Sequence, residues 1–387
     1  MTTPAATPTA TRTAAPTVGD LVRLLDSWYP PQHADSWDAV GLVIGDPAHE
    51  VRRILLAVDP VGDVADEAVL GDADLLVTHH PLFLKPVHGF AATGPKGRVA
   101  HRLAQNGCAL FTAHTNADSP AGGVSEALAH AIGLQDVRPL EADPRPAMDK
   151  LVVFVPAGSE EAVRKAMADA GAGRIGDYDS ASWSARGEGR FRPLEGAHPT
   201  IGEVGRLELV EEVRVESVLP RALRGEVVSA VLAAHPYEEV AYDVIELAAV
   251  DEDDRGSGRI GRLATPVPLR VFAEQVAQAL PDTAHGVRVA GDPDQVVGVV
   301  ALCGGAGDFL LDRARSVGAD AYLTSDLRHH PASELREHGD LALLDVAHWA
   351  AESTWLPVLR RRLVETLGDT VEVAVSTLNT DPWTFRA

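Results

Sequence analysis

The sequence contains little cysteine: its 387 residues include two, Cys108 and Cys303, and each lies in an apolar stretch. Two such thiols cannot form a disulfide framework or a zinc site built from cysteine ligands. Sparse cysteines of this kind are typical of proteins in a reducing compartment, so a cytoplasmic location is expected.

Long apolar runs and positive charge are also lacking. No run approaches the roughly 18 apolar residues of a membrane span, so the sequence predicts no membrane-spanning helix. Lys and Arg number 34 against 56 Asp and Glu, which gives a formal net charge of −22. A field of that sign repels phosphate backbones and anionic lipids, and it argues against a protein that binds nucleic acid or a membrane surface.

The composition is otherwise that of a folded protein, with 45% hydrophobic and 23% charged residues. Residues 1–17 differ, because they are almost entirely Thr, Ala and Pro with one arginine. They lack the apolar core of a secretion signal. We therefore expect a disordered tail, with a mitochondrial-type presequence as the alternative.

Strands and helices alternate in the first part of the ordered sequence. Short apolar runs at residues 53–58, 74–78 and 109–113 predict buried strands, and the stretches after them predict helices. Such alternation indicates an α/β fold with a mostly parallel sheet.

The pattern changes near Pro139. Residues 141–148 are polar and contain two prolines, which predicts a linker. The next segment has the order of a ferredoxin-like α+β domain, with residues 173–205 predicted to be irregular. The first pattern resumes after Gly256. The sequence thus predicts a discontinuous α/β core, interrupted by an inserted domain. The core comprises residues 18–140 and 256–387, and the inserted domain comprises residues 150–250.

Four polar clusters follow predicted strands, where ligands bind in open α/β sheets. They are His79 and His80; His114, Asn116 and Asp118; Asp326, His329 and His330; and His348 and Glu352. Their shared placement is a stronger signal of a site than any one cluster.

The spacing within the clusters is compatible with metal binding but leaves alternatives. His348 and Glu352 stand at i and i+4 on one face of a predicted helix, which is metal-ligand spacing, or else an ordinary polar helix start. His79 and His80 either converge at the strand end or divide between core and surface. Asp118 is a ligand or a helix cap. Imidazole and carboxylate without thiolate suit zinc, manganese, iron or nickel.

Three further motifs have no decided role. Residues 304–307 (GGAG) follow a strand and open a helix, which fits tight packing and anion binding equally. Arg190 and Arg192, within GRFRP at 189–193, suit subunit contacts, salt bridges or the binding of an anion. HPYEE at 235–239 is a site or a capped turn. A Gly-x-Ser-x-Gly elbow is missing, so nucleophilic catalysis is not expected.

Seven motifs in order along nearly the whole chain make the sequence similar to a known family. They are SWDAVGL at 36–42, THHP at 78–81, HTNAD at 114–118, GRFRPLEG at 189–196, GGAG at 304–307, TSDLRHH at 324–330 and DVAHWAAE at 345–352. The chain resembles the Nif3-like dinuclear metal centre proteins, also named GTP cyclohydrolase 1 type 2 homologues. It is similar to the long form, which carries an inserted PII- or CutA-like domain.

The resemblance implies two divalent metal ions per subunit and a ring-shaped homohexamer. The implied ligands are His79, His80, Asp118, His348 and Glu352, with Glu352 shared between both ions. The resemblance also implies that His330 lies near the site. Ala39 and Ser325 depart from the family pattern, where Asn and Gly are usual, but neither is an implied ligand.

The expected function is a metal-dependent hydrolase acting on a nucleotide or another phosphoester. Five nitrogen and oxygen ligands suit two ions that activate a water, and His330 or His114 is the expected proton shuttle. The alternative is a non-catalytic metal-binding or regulatory sensor protein, because inserted modules of this kind commonly sense or assemble.

Overall fold

The computed structural model describes residues 15–248 and 251–387, and the chain divides into two compact units. The first unit comprises the described residues up to Asp143 together with those from Asp253 onward, and the second unit is Pro144–Glu252. Each unit has a hydrophobic core of its own. Residues 1–14 of the predicted tail lie outside the described residues.

The end of the predicted tail, residues 1–17, belongs to the first helix, α1 (Val18–Trp28). The hydroxyl of Thr17 accepts a hydrogen bond from the backbone N–H of Asp20 at 3.2 Å. The Asp20 carboxylate in turn accepts from the backbone N–H of Thr17 at 2.8 Å. This capping box starts the helix at a residue that composition alone assigns to the tail.

Helices and strands alternate along the chain. In the first unit, α1 is followed by β1 (Gly41–Ile44), β2 (Arg53–Ala57), α2 (Gly62–Leu70), β3 (Leu75–Thr78), α3 (Pro95–Gln105), β4 (Ala109–Thr112), α4 (Thr115–Asp118), α5 (Val124–Ala131) and β5 (Gln135–Pro144). The second unit contains β6 (Met148–Pro156), α6 (Glu160–Asp169), β7 (Trp183–Phe191), β8 (Glu208–Pro220), α7 (Arg224–Ala234) and β9 (Tyr242–Glu246). The chain continues with β10 (Asp251–Pro268), α8 (Leu269–Ala279), β11 (Val287–Ala290), β12 (Val296–Ala306), α9 (Leu311–Ser316), β13 (Ala321–Ser325), α10 (His329–Glu337), β14 (Ala342–Val346), α11 (His348–Ser353), α12 (Trp355–Leu367) and β15 (Glu372–Val375).

The first unit contains two sheets. One has the strand order β1-β4-β3-β2-β15 and the other β11-β14-β13-β12-β10-β5. Neighbours from β4 to β15 in the first sheet are parallel, as are β12, β13 and β14 in the second. The predicted α/β fold with a mostly parallel core is confirmed, but with two sheets instead of one. The alternation of strands and helices does not reveal which strands pair. For example, β15, near the end of the chain, pairs with β2.

The strands that lead into the predicted site are buried. All residues of β3 and β14 are buried, as expected for parallel strands covered on both faces. Trp355, fully buried at the start of α12, lies 5.6 Å from the rings of both Tyr29 and His79, measured between ring centroids. Truncating such a buried aromatic residue to alanine costs about 3–5 kcal/mol. The core therefore holds the end of β3 and the beginning of α12 in a fixed arrangement.

Two segments predicted to be irregular contain strands. The predicted linker at residues 141–148 is reduced to 145–147, because β5 reaches Pro144 and β6 starts at Met148. β5 is an edge strand, where proline is tolerated because its missing N–H has no partner to lose. Within residues 173–205, β7 pairs along its whole length with β8. This pairing overrides the low strand propensity of its two glycines.

The second unit has four antiparallel strands in the order β7-β8-β6-β9. Val153 and Val213 lie in a core with Val163 of α6. Side chains alternate along a strand, so Phe154 and Glu212 point to the other face of the sheet. The elements follow in the order strand-helix-strand-strand-helix-strand, and the assignment as an inserted ferredoxin-like domain stays a prediction.

Candidate metal centre

His79 and His80 follow β3 directly, and Nδ1 of each ring makes a hydrogen bond with an oxygen atom. Nδ1 of the fully buried His79 lies 2.9 Å from the carbonyl oxygen of Ala113. Nδ1 of His80 lies 2.7 Å from the carboxylate of Asp59, just beyond the end of β2. A hydrogen bond donated by Nδ1–H leaves Nε2 of a neutral ring free to bind a metal.

His348 and Glu352 lie one turn apart on α11, as the sequence predicts. Nε2 of His348 is 2.7 Å from Oε1 of Glu352. Nδ1 of His348 is 2.7 Å from the carboxylate of Asp326, which follows β13. Asp326 has a φ of 56°, a left-handed conformation that is uncommon outside glycine. In this conformation its carboxylate reaches the histidine ring, so all three rings have an oxygen at Nδ1.

The carboxylate of Glu352 is the centre of the cluster. It is buried, and besides its contact with His348 it approaches two more imidazoles. Oε1 lies 3.4 Å from Nε2 of His79, and Oε2 lies 3.0 Å from Nε2 of His80. Glu352 is therefore in contact with each of the three candidate histidine ligands.

Asp118 adds a second carboxylate, and the cluster contains ligand atoms that the chain leaves unsatisfied. Oδ1 of Asp118 lies 3.5 Å from Nε2 of His79. These two atoms and Oε2 of Glu352 are buried, and none makes a hydrogen bond of good geometry within the described residues. Carboxylate oxygens and imidazole nitrogens that converge in a buried place without well-formed hydrogen bonds are an arrangement that suits a bound cation. Imidazole and carboxylate are suitable donors for a divalent transition metal, and the residues therefore fit the implied metals.

Contacts with Glu352 bring His79, His80 and His348 together, and Asp118 joins them through His79. Ligand atoms of His79, His80 and His114 lie within 4.8 Å of one another, and those of His80, His348 and Glu352 do so as well. His80 belongs to both sets. These groups are compact enough to hold a metal ion.

Charge interactions in the cluster shift the pKa values of His80, His348 and Glu352 in the direction opposite to the shift caused by burial. Burial lowers the pKa of His80, but attraction to Glu352 and the hydrogen bond to Asp59 outweigh it and raise the pKa to about 11. The same competition raises the pKa of His348 to about 10. Burial raises the pKa of Glu352, yet the three histidines hold it well below its usual value. Burial raises the pKa of Asp118 to about 6. His80 and His348 therefore hold a proton more firmly than a free imidazole does, so metal binding has to displace protons.

His114, a predicted proton shuttle, lies beside the ligands. Its ring centroid is 5.2 Å from that of His79 and 5.5 Å from that of His80. Nδ1 of His114 is 2.8 Å from Asp38, and Asp38 also accepts from the hydroxyl of Thr115 at 2.6 Å. Asp38 belongs to the SWDAVGL motif, so this motif orients His114.

His330, the other predicted shuttle, is not brought to the cluster. It is exposed on α10, where its ring packs against His329, and it lines neither of the two cavities beside the metal ligands. The reason is that the chain turns at Asp326 and enters a helix at His329, which carries His330 away. The residue of this motif that contacts a candidate ligand is Asp326.

Three carboxylates contact Nδ1 atoms of the histidines in this cluster, and the sequence gives little indication of that position. Neither Asp59 nor Asp38 is a predicted site residue, and Asp326 is predicted only as part of a polar cluster. Asp59 follows β2 at the same sheet edge as His79 and His80, so the strand-end rule is a signal that finds it. No comparable signal in the sequence links Asp38 to His114.

The GGAG motif at residues 304–307 packs directly against the ligands. Gly305 has a φ of 70°, and a Cβ at this position would lie 2.6 Å from Oε1 of Glu352 and 3.2 Å from Nε2 of His348. Only glycine fits there, which supports the packing role of the motif. A cavity of about 220 Å³ is lined by this segment and by both ligands, so a small molecule has access to the cluster.

Comparison with known proteins identifies the family. The family model described as Duf34/NIF3 (NGG1p interacting factor 3) matches residues 16–382. The chain belongs to the Duf34/NIF3 family. This finding confirms the resemblance that the seven motifs indicate.

Relatives match this Duf34/NIF3 protein over nearly the whole chain. It is 50% identical over 367 residues to a Mycobacterium tuberculosis protein named GTP cyclohydrolase 1 type 2 homolog, covering 95% of this chain and 96% of the relative. A Bacillus subtilis protein of the same name is 37% identical over 368 residues, covering 94% and 97%. The crystal structure of a Bacillus cereus protein related to NIF3 is 38% identical, covering 97% and 100%, with a TM-score of 0.69. None of the described helices has the length and apolar character needed to cross a membrane.

Proposed function

We propose that this Duf34/NIF3 protein is a hydrolase that uses two divalent metal ions. The proposed ligands are His79, His80, Asp118, His348 and Glu352. The observation that carries the proposal is the convergence of three buried ligand atoms without hydrogen bonds, around a carboxylate that reaches three imidazoles. His79 and Asp118 suit one ion, His80 and His348 suit the other, and Glu352 is shared.

The residues of the chain have separate tasks in this proposal. When bound, a pair of ions lowers the pKa of a shared water and stabilises negative charge on the attacked centre. Asp59 and Asp326 keep Nε2 of their histidines directed at the site. His114, held by Asp38 at Nδ1, is positioned to accept or deliver a proton at Nε2.

The substrate class rests on the relatives and on the cavity. Relatives carry the name GTP cyclohydrolase 1 type 2 homolog, which supports a nucleotide or another phosphoester as substrate. The cavity of about 220 Å³ next to Glu352 offers space for the reacting part of such a molecule. An open coordination position at the metal would favour catalysis over the alternative of a non-catalytic metal-binding or sensor protein, because purely structural sites are closed.

The test is turnover by metal-loaded protein. Protein loaded separately with zinc, manganese, iron or nickel is incubated with GTP and a panel of phosphoesters, with Glu352→Ala as the matched variant. Turnover that disappears in the variant supports the proposal. Full metal occupancy without turnover of any substrate would remove the hydrolase and leave the metal-binding or sensor protein.

Assembly and location remain proposals that rest on the family resemblance. We propose a homohexamer in the cytoplasm. Light scattering of the purified chain checks the first, and fractionation of cells that express it checks the second. A monomer, or a membrane-associated chain, would contradict these proposals.

A further inference from the structure

A second cavity lies entirely within the second unit. Its volume of about 370 Å³ is in the range of small-molecule sites. Residues of the GRFRP motif at 189–193 and the HPYEE motif at 235–239 line it together with Phe154 and Glu212. Both motifs lack a role in the metal centre, and they meet here although they are far apart in sequence.

Two aromatic rings form a corner in this cavity. The ring centroids of Phe191 and Tyr237 are 5.8 Å apart, and the ring planes make an angle of 63°. The backbone N–H of Tyr237 donates to Nδ1 of His235 at 3.1 Å, and Nε2 of His235 lies 3.0 Å from the carbonyl oxygen of Phe154. Tyr237 is thus fixed in place. A flat ligand can stack on one ring and meet the edge of the other, the arrangements that aromatic groups prefer.

The wall formed by residues 193–201 is tied to the HPYEE motif. The backbone N–H of His198 donates to Glu238 at 2.8 Å, and the hydroxyl of Thr200 donates to the carbonyl oxygen of Pro236 at 2.7 Å. The cavity is therefore formed before any ligand binds, which reduces the entropy lost on binding.

A carboxylate group is available inside the cavity. Oε1 of Glu212 accepts a hydrogen bond from the hydroxyl of Tyr237 at 3.3 Å. Oε2 of Glu212 lies 2.2 Å from where a Cβ on Gly189 would be. The glycine thus leaves room for the carboxylate, and Oε2 makes no hydrogen bond with the residues that the structure describes, so it can accept from an amino group of a ligand.

One arginine supplies positive charge beside the two aromatic rings. Arg192 follows β7 directly, lines the cavity and makes no ion pair with any residue that the structure describes. Arg190 precedes Phe191 in β7, so its side chain points to the opposite face of the sheet, where it pairs with Glu188 at 2.7 Å. A planar guanidinium binds phosphate through two parallel hydrogen bonds, and Arg192 offers that contact in a chain with a net charge of −22.

We propose that this cavity binds a nucleotide whose base carries an amino group. The base stacks between Phe191 and Tyr237, its amino group donates to Glu212, and the phosphate binds Arg192. Carboxylates accept hydrogen bonds from base amino groups in nucleic-acid recognition in the same way. This site is independent of the hydrolase proposed for the metal centre.

The test is calorimetric titration of the full-length protein with AMP, with IMP, which lacks the amino group, and with adenosine, which lacks the phosphate. We expect AMP to bind more tightly than either. Arg192→Ala should weaken AMP about tenfold, the effect of one charge-assisted contact, and leave adenosine unchanged. Glu212→Gln should remove the preference for AMP over IMP. Gly189→Ala should act like Glu212→Gln, because its Cβ displaces the carboxylate.

The controls separate this site from the metal centre and from general damage. Gly187→Ala lies on the same strand with open space around its Cβ, and Arg186→Ala removes an exposed arginine outside the cavity. Both should bind AMP like wild type. All titrations are repeated in the Glu352→Ala background. Binding that disappears in Glu352→Ala, that survives Arg192→Ala and Glu212→Gln unchanged, or that is missing with millimolar AMP would overturn the proposal.

Discussion

The metal centre of the first unit and the cavity of the second unit differ in how their polar groups are satisfied. In the metal centre, Nδ1 of each candidate histidine ligand is bonded, but three inner ligand atoms are buried without hydrogen bonds. In the cavity, Oε1 of Glu212 accepts a hydrogen bond from Tyr237, Glu212 is half-buried and Arg192 is exposed. The polar groups of the first site are shielded from water, whereas those of the second can be hydrated when no ligand is bound.

This difference separates two kinds of binding site. Burying unsatisfied atoms costs folding free energy, and a bound ion recovers it, so strong binding and folding are linked. A partly exposed site has no such cost, and its ligand has to displace existing partners and water. We therefore expect tight metal binding in the first unit and weaker, readily reversible ligand binding in the second.

The largest effect is expected from removing the shared carboxylate. Glu352→Ala should lose both ions, whereas Asp118→Ala should lose only part of the metal, because Glu352 reaches three imidazoles and Asp118 only one. Elemental analysis of the purified variants measures this, with the exposed Glu365→Ala as control. Wild-type metal content in Glu352→Ala would refute the site.

A large effect is also expected from a single methyl group. Gly305→Ala places a Cβ 2.6 Å from Oε1 of Glu352, at a φ of 70°, and should lower the metal content severely. Gly318→Ala is the matched control, because Gly318 has a φ of 73° with open space around it. Both variants carry the backbone strain, about 1–2 kcal/mol. Equal metal content in the two would show that Gly305 does not protect the ligands.

An intermediate effect is expected from the carboxylate that holds His348. Asp326→Asn should reduce metal affinity about 10–100-fold, the usual effect of losing a partner behind a ligand. The exposed Asp312→Asn should have no effect. Titration with a competing chelator gives both affinities. Unchanged affinity in Asp326→Asn would mean that the contact with Nδ1 has no role in metal binding.

Metal affinity should rise with pH across the neutral range. In the metal-free protein the pKa of His80 is about 11 and that of His348 about 10, because attraction to Glu352 exceeds the opposing effect of burial. Each ring has to lose its proton to bind a metal, so affinity should increase about tenfold per pH unit for each proton released. Calorimetry in buffers of different ionisation enthalpy counts these protons. Asp59→Asn should reduce the count, and an affinity that stays flat with pH would contradict the assignment.

The smallest effect on the metal centre is expected from deleting the second unit. All five candidate ligands lie outside Pro144–Glu252. The ends left by the deletion are close, because Asp143 and Arg255 form an ion pair at 3.0 Å, so a short Gly/Ser linker can join them. The shortened chain should keep its metal content and lose AMP binding. A metal-free product would show that the two sites are not independent.

Much of the metal centre was predictable because its candidate ligands follow the carboxyl ends of strands, β3 and β4 in one sheet and β14 in the other. His79 and His80 follow one buried strand, and the i, i+4 spacing of His348 and Glu352 placed them on one helix face. The positions of Asp59 and Asp326 were less evident. A carboxylate that supports a ligand carries no signal of spacing, because its partner is set by how separate loops pack.

Part of the fold was likewise predictable from the sequence, and part was not. The α/β class follows from the alternation of apolar runs and helical stretches, but neither the second sheet nor the strand β7 does. Strand pairing depends on contacts between distant segments, and pairing with β8 makes a strand of a glycine-containing stretch.

The sequence by itself determined the α/β class and, through seven motifs, the family, and the resemblance to that family implied the five candidate metal ligands. The class and the motifs depend on residue type and local spacing, which the chain carries in its order. Only the tertiary structure decided that His114 lies beside the ligands while His330 does not, and that two unassigned motifs share one cavity. The physical reason is that the distance between side chains far apart in sequence is set by the packing of the whole core.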